Sequence, residues 1–247
     1  MLYQSVDNKK IKDIKKLHTH KYREKTHTFL VEGEHLVLEA YKKGFLKELI
    51  LEQDTLFPLD VETMYVTNNV LSYISELETP QTVMGICEMI PEKEVLGNHI
   101  LMLDGVQDPG NMGTIIRSAV AFGVDTIVMS PDCVDIYNSK VVRASQGLLF
   151  HMQFITCDLL GMIEHLKEQN YPIYATRVTH GSDVRNIKDT TQYVLIMGNE
   201  GNGVREEVMD NATNFLYIPM DAACESLNVG VATSILLFAL KGSENHE

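Results

Sequence analysis

The run Tyr193-Val194-Leu195-Ile196-Met197-Gly198-Asn199-Glu200-Gly201-Asn202-Gly203 passes from an unbroken apolar segment into a glycine-rich turn. A short apolar run bounded by a turn reads as a strand buried on both faces, as in parallel sheets. The glycines allow a ligand to approach the backbone closely. The carboxyl ends of strands in open α/β sheets are where ligands bind. The plain alternative is a tight strand-to-helix turn with Glu200 exposed, ahead of a helix starting near Val204. The glycine order does not match Gly-x-Gly-x-x-Gly, and no Gly-x-x-x-x-Gly-Lys-Ser/Thr occurs, which excludes a P-loop.

Outward from this run the chain alternates strand and helix. Strands are expected at Ile100–Leu103, Thr126–Met129, Gln153–Thr156, Ile173–Thr176, Tyr193–Met197 and Phe215–Ile218. Helices are expected at Asn111–Phe122, Asn138–Ala144, Leu159–Lys167 and Ser226–Leu240. Such alternation at short spacing predicts a mostly parallel sheet covered on both faces. Upstream of the polar, turn-rich stretch 90–98, which reads as a linker, Ile11 to Glu88 looks like a small α/β unit. In it, Glu34 to Lys42 has the spacing of an amphipathic helix, and Gly44 suits its C-terminal cap. The tail from Lys241 to Glu247 is polar and reads as frayed.

Two further segments carry polar residues at strand-to-loop junctions. One is Asn111-x-Gly113-x-x-x-Arg117-Ser118-Ala119. Asn111 stands at a helix mouth, where it can cap or touch a ligand. Arg117, beside small residues, suits planar recognition of a phosphate or carboxylate, although a surface ion pair is the commoner use of an arginine. Arg143-Ala144-Ser145 is a similar element. The other segment is Ile218-Pro219-Met220 with Glu225-Ser226-Leu227-Asn228, where Ser226 is a natural N-cap for the last helix. No Gly-x-Ser-x-Gly elbow surrounds Ser226, so a serine hydrolase is a weak alternative.

The chain has 247 residues and a net charge of −13. Residues 1–30 nevertheless hold eight Lys/Arg against three Asp/Glu, a local charge of +5, and the remainder is −18. Attraction to phosphates depends on local potential within about 10 Å in salt, so a basic arm can dock on RNA despite the total. A solvated helix face is the simpler reading of the run. Four scattered cysteines predict reduced, buried thiols, and the histidine spacing matches no zinc site. No apolar stretch reaches the ~20 residues of a membrane span, and the N-terminus lacks a signal-peptide pattern, so a cytoplasmic protein is expected.

In order and spacing the three motifs resemble the SpoU-type (TrmH-like) RNA 2′-O-ribose methyltransferases of the SPOUT superfamily, over residues 98–240. Residues 1–90, through Phe29-Leu30-Val31-Glu32-Gly33, resemble the L30e-like RNA substrate-binding domain often joined to them. The resemblance implies two domains, 1–90 and 98–247, the second an α/β domain with a mostly parallel sheet and a C-terminal trefoil knot. It further implies S-adenosylmethionine as cofactor, a homodimer, and no metal. By motif, Thr176, Met197, Gly198, Gly203, Ile218, Met220 and Leu227 would hold the cofactor. Arg117, Asn111, Glu200, Ser226 and Asn228 would form the catalytic and RNA-facing set. Two positions depart from the family pattern. Ala222 stands where glycine is common, which would narrow a turn needing positive φ, and Gly230 stands where serine is common.

The reaction implied is direct displacement by a ribose 2′-hydroxyl. A guanidinium has a pKa above ~12 and stays charged, so Arg117 is expected to orient the adjacent phosphate and stabilise the developing alkoxide. Lys9, Lys10, Lys12, Lys15, Lys16, Lys21, Arg23 and Lys25 would track an RNA phosphate path with salt-dependent affinity. The extra N-terminal domain favours ribosomal RNA over transfer RNA. Three alternatives stand beside this: a tRNA 2′-O-methyltransferase, a non-catalytic RNA-binding assembly factor, and an S-adenosylmethionine enzyme acting on a small molecule. The polar set argues against the second, and the basic N-terminus is unexplained by the third.

Overall fold

In the computed structural model, which describes residues 1–93, 96–177, 181–187 and 191–241, the chain divides into two units. The first comprises Met1–Pro91 and Asp135–His151; the second comprises Glu92–Val134 and Met152–Glu247. Residues 94–95 of the expected linker and 242–247 of the expected frayed tail lie outside the described residues.

The first unit contains β1 (Leu2–Tyr3), α1 (Lys9–Lys16), α2 (His20–Thr26), β2 (Thr28–Glu32), α3 (Glu34–Lys42), β3 (Leu46–Glu52), β4 (Glu62–Val66), α4 (Asn68–Ile74) and β5 (Val83–Glu88). Its mixed sheet has the order β1-β4-β3-β5-β2. The helix α3 ends as its sequence predicts. Gly44 at φ +77° donates its N–H to Tyr41, and Phe45 donates to Ala40, closing a Schellman motif.

The second unit carries β6 (His99–Asp104), α5 (Pro109–Ala121) and β7 (Thr126–Met129). The chain then forms α6 (Ser139–Ala144), which groups with the first unit, followed by β8 (Gln153–Thr156), α7 (Leu159–Glu168), β9 (Ile173–Thr176) and β10 (Ser182–Asp183). It closes with β11 (Tyr193–Gly198), α8 (Glu206–Met209), β12 (Asn214–Tyr217) and α9 (Val229–Leu240). Seven parallel strands run in the order β10-β12-β9-β11-β6-β7-β8. The central strands are apolar on both faces because helices cover both: Leu101, Ile127 and Leu195 are all fully buried.

Register positions the functional residues. Gly198 at the end of β11 pairs with Asp104 at the end of β6, and Thr176 of β9 pairs with Leu216 of β12. The carboxyl ends of four neighbouring strands therefore meet along one edge of the sheet. Because all these strands run parallel, the loops that follow each of them gather at this edge.

The segment 135–151 completes the core of the first unit. Phe150 stacks on Phe29 and Phe45, with ring centroids 5.9 and 5.7 Å away, and Tyr137 lies 4.7 Å from Phe29. Arg23, only 4% exposed, donates to Asp135 and to the Leu17 carbonyl. Arg23 is thus a core residue and does not belong to the surface basic path expected of residues 1–30. Lys15 turns to the carbonyls of Ile74 and Ser75, while Lys10, Lys12 and Lys16 pair with Glu48, Asp7 and Asp13. The arm's charge is partly neutralised within its own unit.

All four cysteines are free, but they are not uniformly buried: Cys87 is enclosed and Cys224 is exposed. Burial pushes the Cys87 thiol up. Among the described residues no helix is long and apolar enough to cross a membrane, and no cluster of His, Cys, Asp or Glu could hold a metal ion.

Candidate active site

The glycine-rich turn after β11 closes on itself. Asn199 and Gly203 exchange both backbone N–H···O bonds at 2.9 Å, making a small antiparallel bridge. A Cβ on Gly198 would lie 2.1 Å from the carbonyl carbon of Gly203 and from the nitrogen of Val204, so only glycine fits there. Gly203 takes φ +71°, the left-handed region that favours glycine. Inside the turn, Asn199 Oδ1 accepts from the N–H groups of Gly201 and Asn202, and its Nδ2 donates to the Gly105 carbonyl at 2.7 Å.

Beyond the turn the chain is anchored to β6. Asp104, 1% exposed, accepts from Arg205 N at 2.8 Å and from Arg205 Nε at 2.7 Å. The helix expected near Val204 is therefore only the short α8, and Arg205 ahead of it serves the loop.

The N-terminus of α5 begins earlier than Asn111. Asp108 is the N-cap, accepting from Asn111 N at 2.8 Å, and Pro109 occupies the first turn, where its missing N–H costs nothing. This frees the Asn111 side chain. Its Nδ2 donates to Glu200 Oε1 at 3.1 Å, and its Oδ1 accepts from Asn228 Nδ2 at 2.8 Å. Glu200 also accepts from the backbone N–H of Gln107 at 3.3 Å and of Asp108 at 3.1 Å. Burial pushes the Glu200 carboxyl up, but donation from Asn111 and from backbone N–H groups outweighs it and holds the pKa below the ordinary carboxylate value. The oxygens of Glu200 are committed to organising this corner.

Asn228, not Ser226, is the N-cap of α9: its Oδ1 accepts from Gly230 N at 3.0 Å and Val231 N at 3.2 Å. Both residue types cap helices well. The amide nitrogen of Asn228 also reaches Asn111, which a serine hydroxyl engaged in capping could not do. Gly230 then lets α9 approach α5, since a Cβ there would meet Thr114 at 3.1 Å. The serine common in the family at this position would require Thr114 to yield. Ala222 is exposed within a turn closed by Cys224 N to Asp221 O at 3.0 Å and is not among the described residues with positive φ, so its methyl strains nothing.

A cleft of about 500 Å³ lies at this edge of the sheet. All seven residues expected to hold the cofactor, Thr176, Met197, Gly198, Gly203, Ile218, Met220 and Leu227, line it, as do Asn111, Glu200, Ser226 and Asn228. Arg117 does not line it. It is exposed on α5, while its neighbour Ser118 bonds Ser234 at 2.7 Å and Ala119 is buried. The small residues after Arg117 thus serve the contact between α5 and α9. Sequence reasoning passed over Arg177, Asn199, Leu216, Tyr217 and Leu236, which also line the cleft. The signal of the first four was position alone, at or just after the carboxyl ends of strands, while Leu236 reaches the cleft from within α9.

The cleft's size falls in the range of roughly 300–1,000 Å³ usual for small-molecule sites. Its apolar side, formed by Met197, Leu216, Ile218, Met220, Leu227 and Leu236, faces loops rich in amide groups. That donor set fits an amphipathic nucleoside cofactor with a planar base, a thioether-like chain and polar ends.

Known structures share this architecture. A crystal structure of an S-adenosylmethionine-bound rRNA methyltransferase from Sinorhizobium meliloti is 30% identical and superposes with a TM-score of 0.86, covering 98% of this chain and 97% of that one. A putative RNA methyltransferase of the TrmH family from Porphyromonas gingivalis is 31% identical, with a TM-score of 0.85 over 96% of this chain and 98% of that one. Fold and cleft together define an S-adenosylmethionine-dependent RNA methyltransferase of the SPOUT type. The chain belongs to the SpoU rRNA methylase family, whose model matches residues 98–238, and an MRM3-like substrate-binding domain matches residues 8–85. A 23S rRNA (guanosine(2553)-2′-O)-methyltransferase, RlmP of Bacillus subtilis (strain 168), is 40% identical over 244 residues, 97% of this chain and 98% of that one.

Proposed function

We propose that this protein methylates the ribose 2′-hydroxyl of one guanosine in 23S ribosomal RNA, the nucleotide equivalent to the one named for its Bacillus subtilis relative. The observation that carries this reading is the full-length likeness to that relative, at 40% identity, in a chain whose Asn111, Glu200 and Asn228 converge on one cleft. Residues 1–90 then serve as the substrate-binding domain and 98–247 as the catalytic domain. On this reading the enzyme works in the cytoplasm beside its ribosomal RNA substrate.

S-adenosylmethionine, when bound, supplies an electrophilic methyl group on a sulfonium. Thr176, Met197, Gly198, Gly203, Ile218, Met220 and Leu227 hold it, in what the family resemblance makes a trefoil knot. Asn111 is locked between Glu200 and Asn228, so its amide is fixed in orientation at the cleft mouth. Positioning of this kind can contribute ~7–11 kcal/mol when it holds reactants in line. Ser226 and Asn228 add further polar groups to the lining of the cleft.

Arg117 supplies the cationic partner for the RNA phosphate and the developing alkoxide. It lies outside the cleft of its own chain, exposed, and among the described residues it has no ion-pair partner. The adjacent helix α9 exposes Val231, Ile235 and Phe238, which recur on one helical face, with Phe238 70% exposed. A second copy of the chain covering this apolar face would bury it and bring Arg117 of each copy to the other's cleft. The enzyme is on this reading a homodimer whose sites are each built from two chains.

The test is transfer of labelled methyl groups from S-adenosylmethionine into unmodified 23S rRNA, beside 16S rRNA and transfer RNA. Label confined to one guanosine of 23S rRNA, resistant to alkaline cleavage, is the expected result. Label in transfer RNA alone would overturn the substrate assignment.

A further inference from the structure

The strand β9 is followed immediately by Arg177, a residue that no motif singles out. Its backbone N–H donates to Leu216 at 2.9 Å, and its guanidinium carbon lies 3.6 Å from the centroid of the Phe215 ring. Stacking on an aromatic face takes up one side of the planar guanidinium and leaves its fork of N–H donors directed outward from the ring edge. The side chain makes no hydrogen bond or ion pair with any carboxylate among the described residues. It lines the cleft together with Thr176, Met197 and Ile218.

Charge within the cleft is sparse. Arg177 and Glu200 are the charged residues lining it among those described, and Glu200 is occupied by Asn111, Gln107 and Asp108. Among the described residues, Arg177 is therefore the charged residue lining the cleft whose side chain is not taken up by a polar partner, and its guanidinium rests on the Phe215 ring. A solvated surface arginine has no need of such a platform, and an oxyanion receptor does. A preset planar fork loses less freedom on forming paired bonds to a carboxylate or phosphate.

We propose that Arg177 is the oxyanion-binding residue of the cleft, reading either the α-carboxylate of the cofactor or the phosphodiester beside the target ribose. The assignment rests on the methyltransferase reading above, and the two sources share the same recognition chemistry. Phe215 is its positioning residue.

The test compares wild type with Arg177→Gln and Phe215→Leu, using the full chain. S-adenosylmethionine and its decarboxylated analogue are titrated by calorimetry, and 23S rRNA binding is followed across a range of salt. If the carboxylate is the ligand, wild type prefers S-adenosylmethionine to the decarboxylated analogue by ~10-fold or more, and Arg177→Gln abolishes that preference. If the phosphate is the ligand, cofactor affinity stays unchanged while RNA affinity falls and the slope of log affinity against log salt shrinks by about one. Phe215→Leu reproduces part of either loss and carries the test if Arg177→Gln does not fold. Variants whose affinities for cofactor and RNA both stay within twofold of wild type would overturn the proposal. Failure of the wild type itself to bind cofactor and 23S rRNA would instead sink the functional reading.

Discussion

Asn228 Nδ2 donates to Asn111 Oδ1 across 2.8 Å, joining two residues 117 positions apart in the chain. Asn111 passes the connection to Glu200, so one chain of side-chain bonds links all three motifs. The same Asn228 caps α9 through its other amide atom. Cleft organisation and helix capping are thus coupled in a single side chain.

Asn228→Asp separates these two duties. The carboxylate keeps the cap and favours the positive end of the helix dipole, but it cannot donate to Asn111 and adds charge near Glu200. Melting is expected to change little, while kcat falls at least ~10-fold, as for loss of a positioned polar contact. A variant with unimpaired kcat would show that the Asn111 contact is dispensable.

Gly198→Ala inserts a methyl into the closed turn at 2.1 Å from backbone atoms of Gly203 and Val204. Neither neighbour is a flexible side chain, so the turn itself must open. Overpacking of this sort costs about 1–3 kcal/mol. Calorimetry should record a lower melting temperature together with loss of S-adenosylmethionine binding. Retained cofactor affinity would mean that the bridge between Asn199 and Gly203 does not shape the site.

Glu200 has a pKa held below its ordinary value in the folded protein. A depressed carboxyl contributes stability above the unfolded pKa, about 4.3 for Glu, and loses it as pH falls through the folded value. Glu200→Gln should therefore be less stable than wild type at pH 7, and the two curves should converge in the acid range below pH ~4. Urea unfolding between pH 7 and 3.5 gives both curves. A stability gap that stays constant with pH would refute the role assigned to the carboxylate.

Arg117→Ala and Asn228→Asp should each be strongly impaired as pure proteins yet complement one another when mixed. In a dimer that shares sites, a mixed pair holds one intact cleft facing one intact Arg117. Random exchange would restore roughly a quarter of wild-type activity. Phe238→Asp, which places charge on the exposed apolar face of α9, should yield monomers by sedimentation. An absence of complementation in verified mixed dimers would return Arg117 to its own chain's cleft.

Arg23→Met leaves Asp135 without its buried partner. Removing one member of a fully buried pair costs ~3–5 kcal/mol, and because Asp135 is partly exposed and keeps the Tyr137 N–H, a loss of about 1–3 kcal/mol is expected. Unfolding of the first unit should shift to lower denaturant, with cofactor affinity unchanged because the cleft lies wholly in the second unit. A shift below about 1 kcal/mol would put the pair in the weak surface class.

Local pattern carried most of the elements. Strands Thr126–Met129, Gln153–Thr156 and Ile173–Thr176 fall on the residues expected from their apolar runs, as does the helix Glu34–Lys42. Helix starts were less legible. The caps fall on Asp108 and Asn228 where Asn111 and Ser226 were expected, and Asn111 and Asn228 bond each other at the cleft. Eleven of the twelve expected site residues line one cleft because strand register aligns the motif-bearing ends.

The sequence by itself determined the alternation of strands and helices, the glycines of the closed turn, and the motifs that mark a SpoU methyltransferase. These depend on neighbours a few residues apart, through side-chain periodicity and backbone freedom. Tertiary structure alone decided that Arg23 is buried, that Arg117 stands outside its own cleft, that residues 135–151 complete the first unit, and that Arg177 lies on Phe215. Each of those outcomes turns on which distant surface is left for a side chain once the sheets have paired. Local periodicity carries no information about that choice.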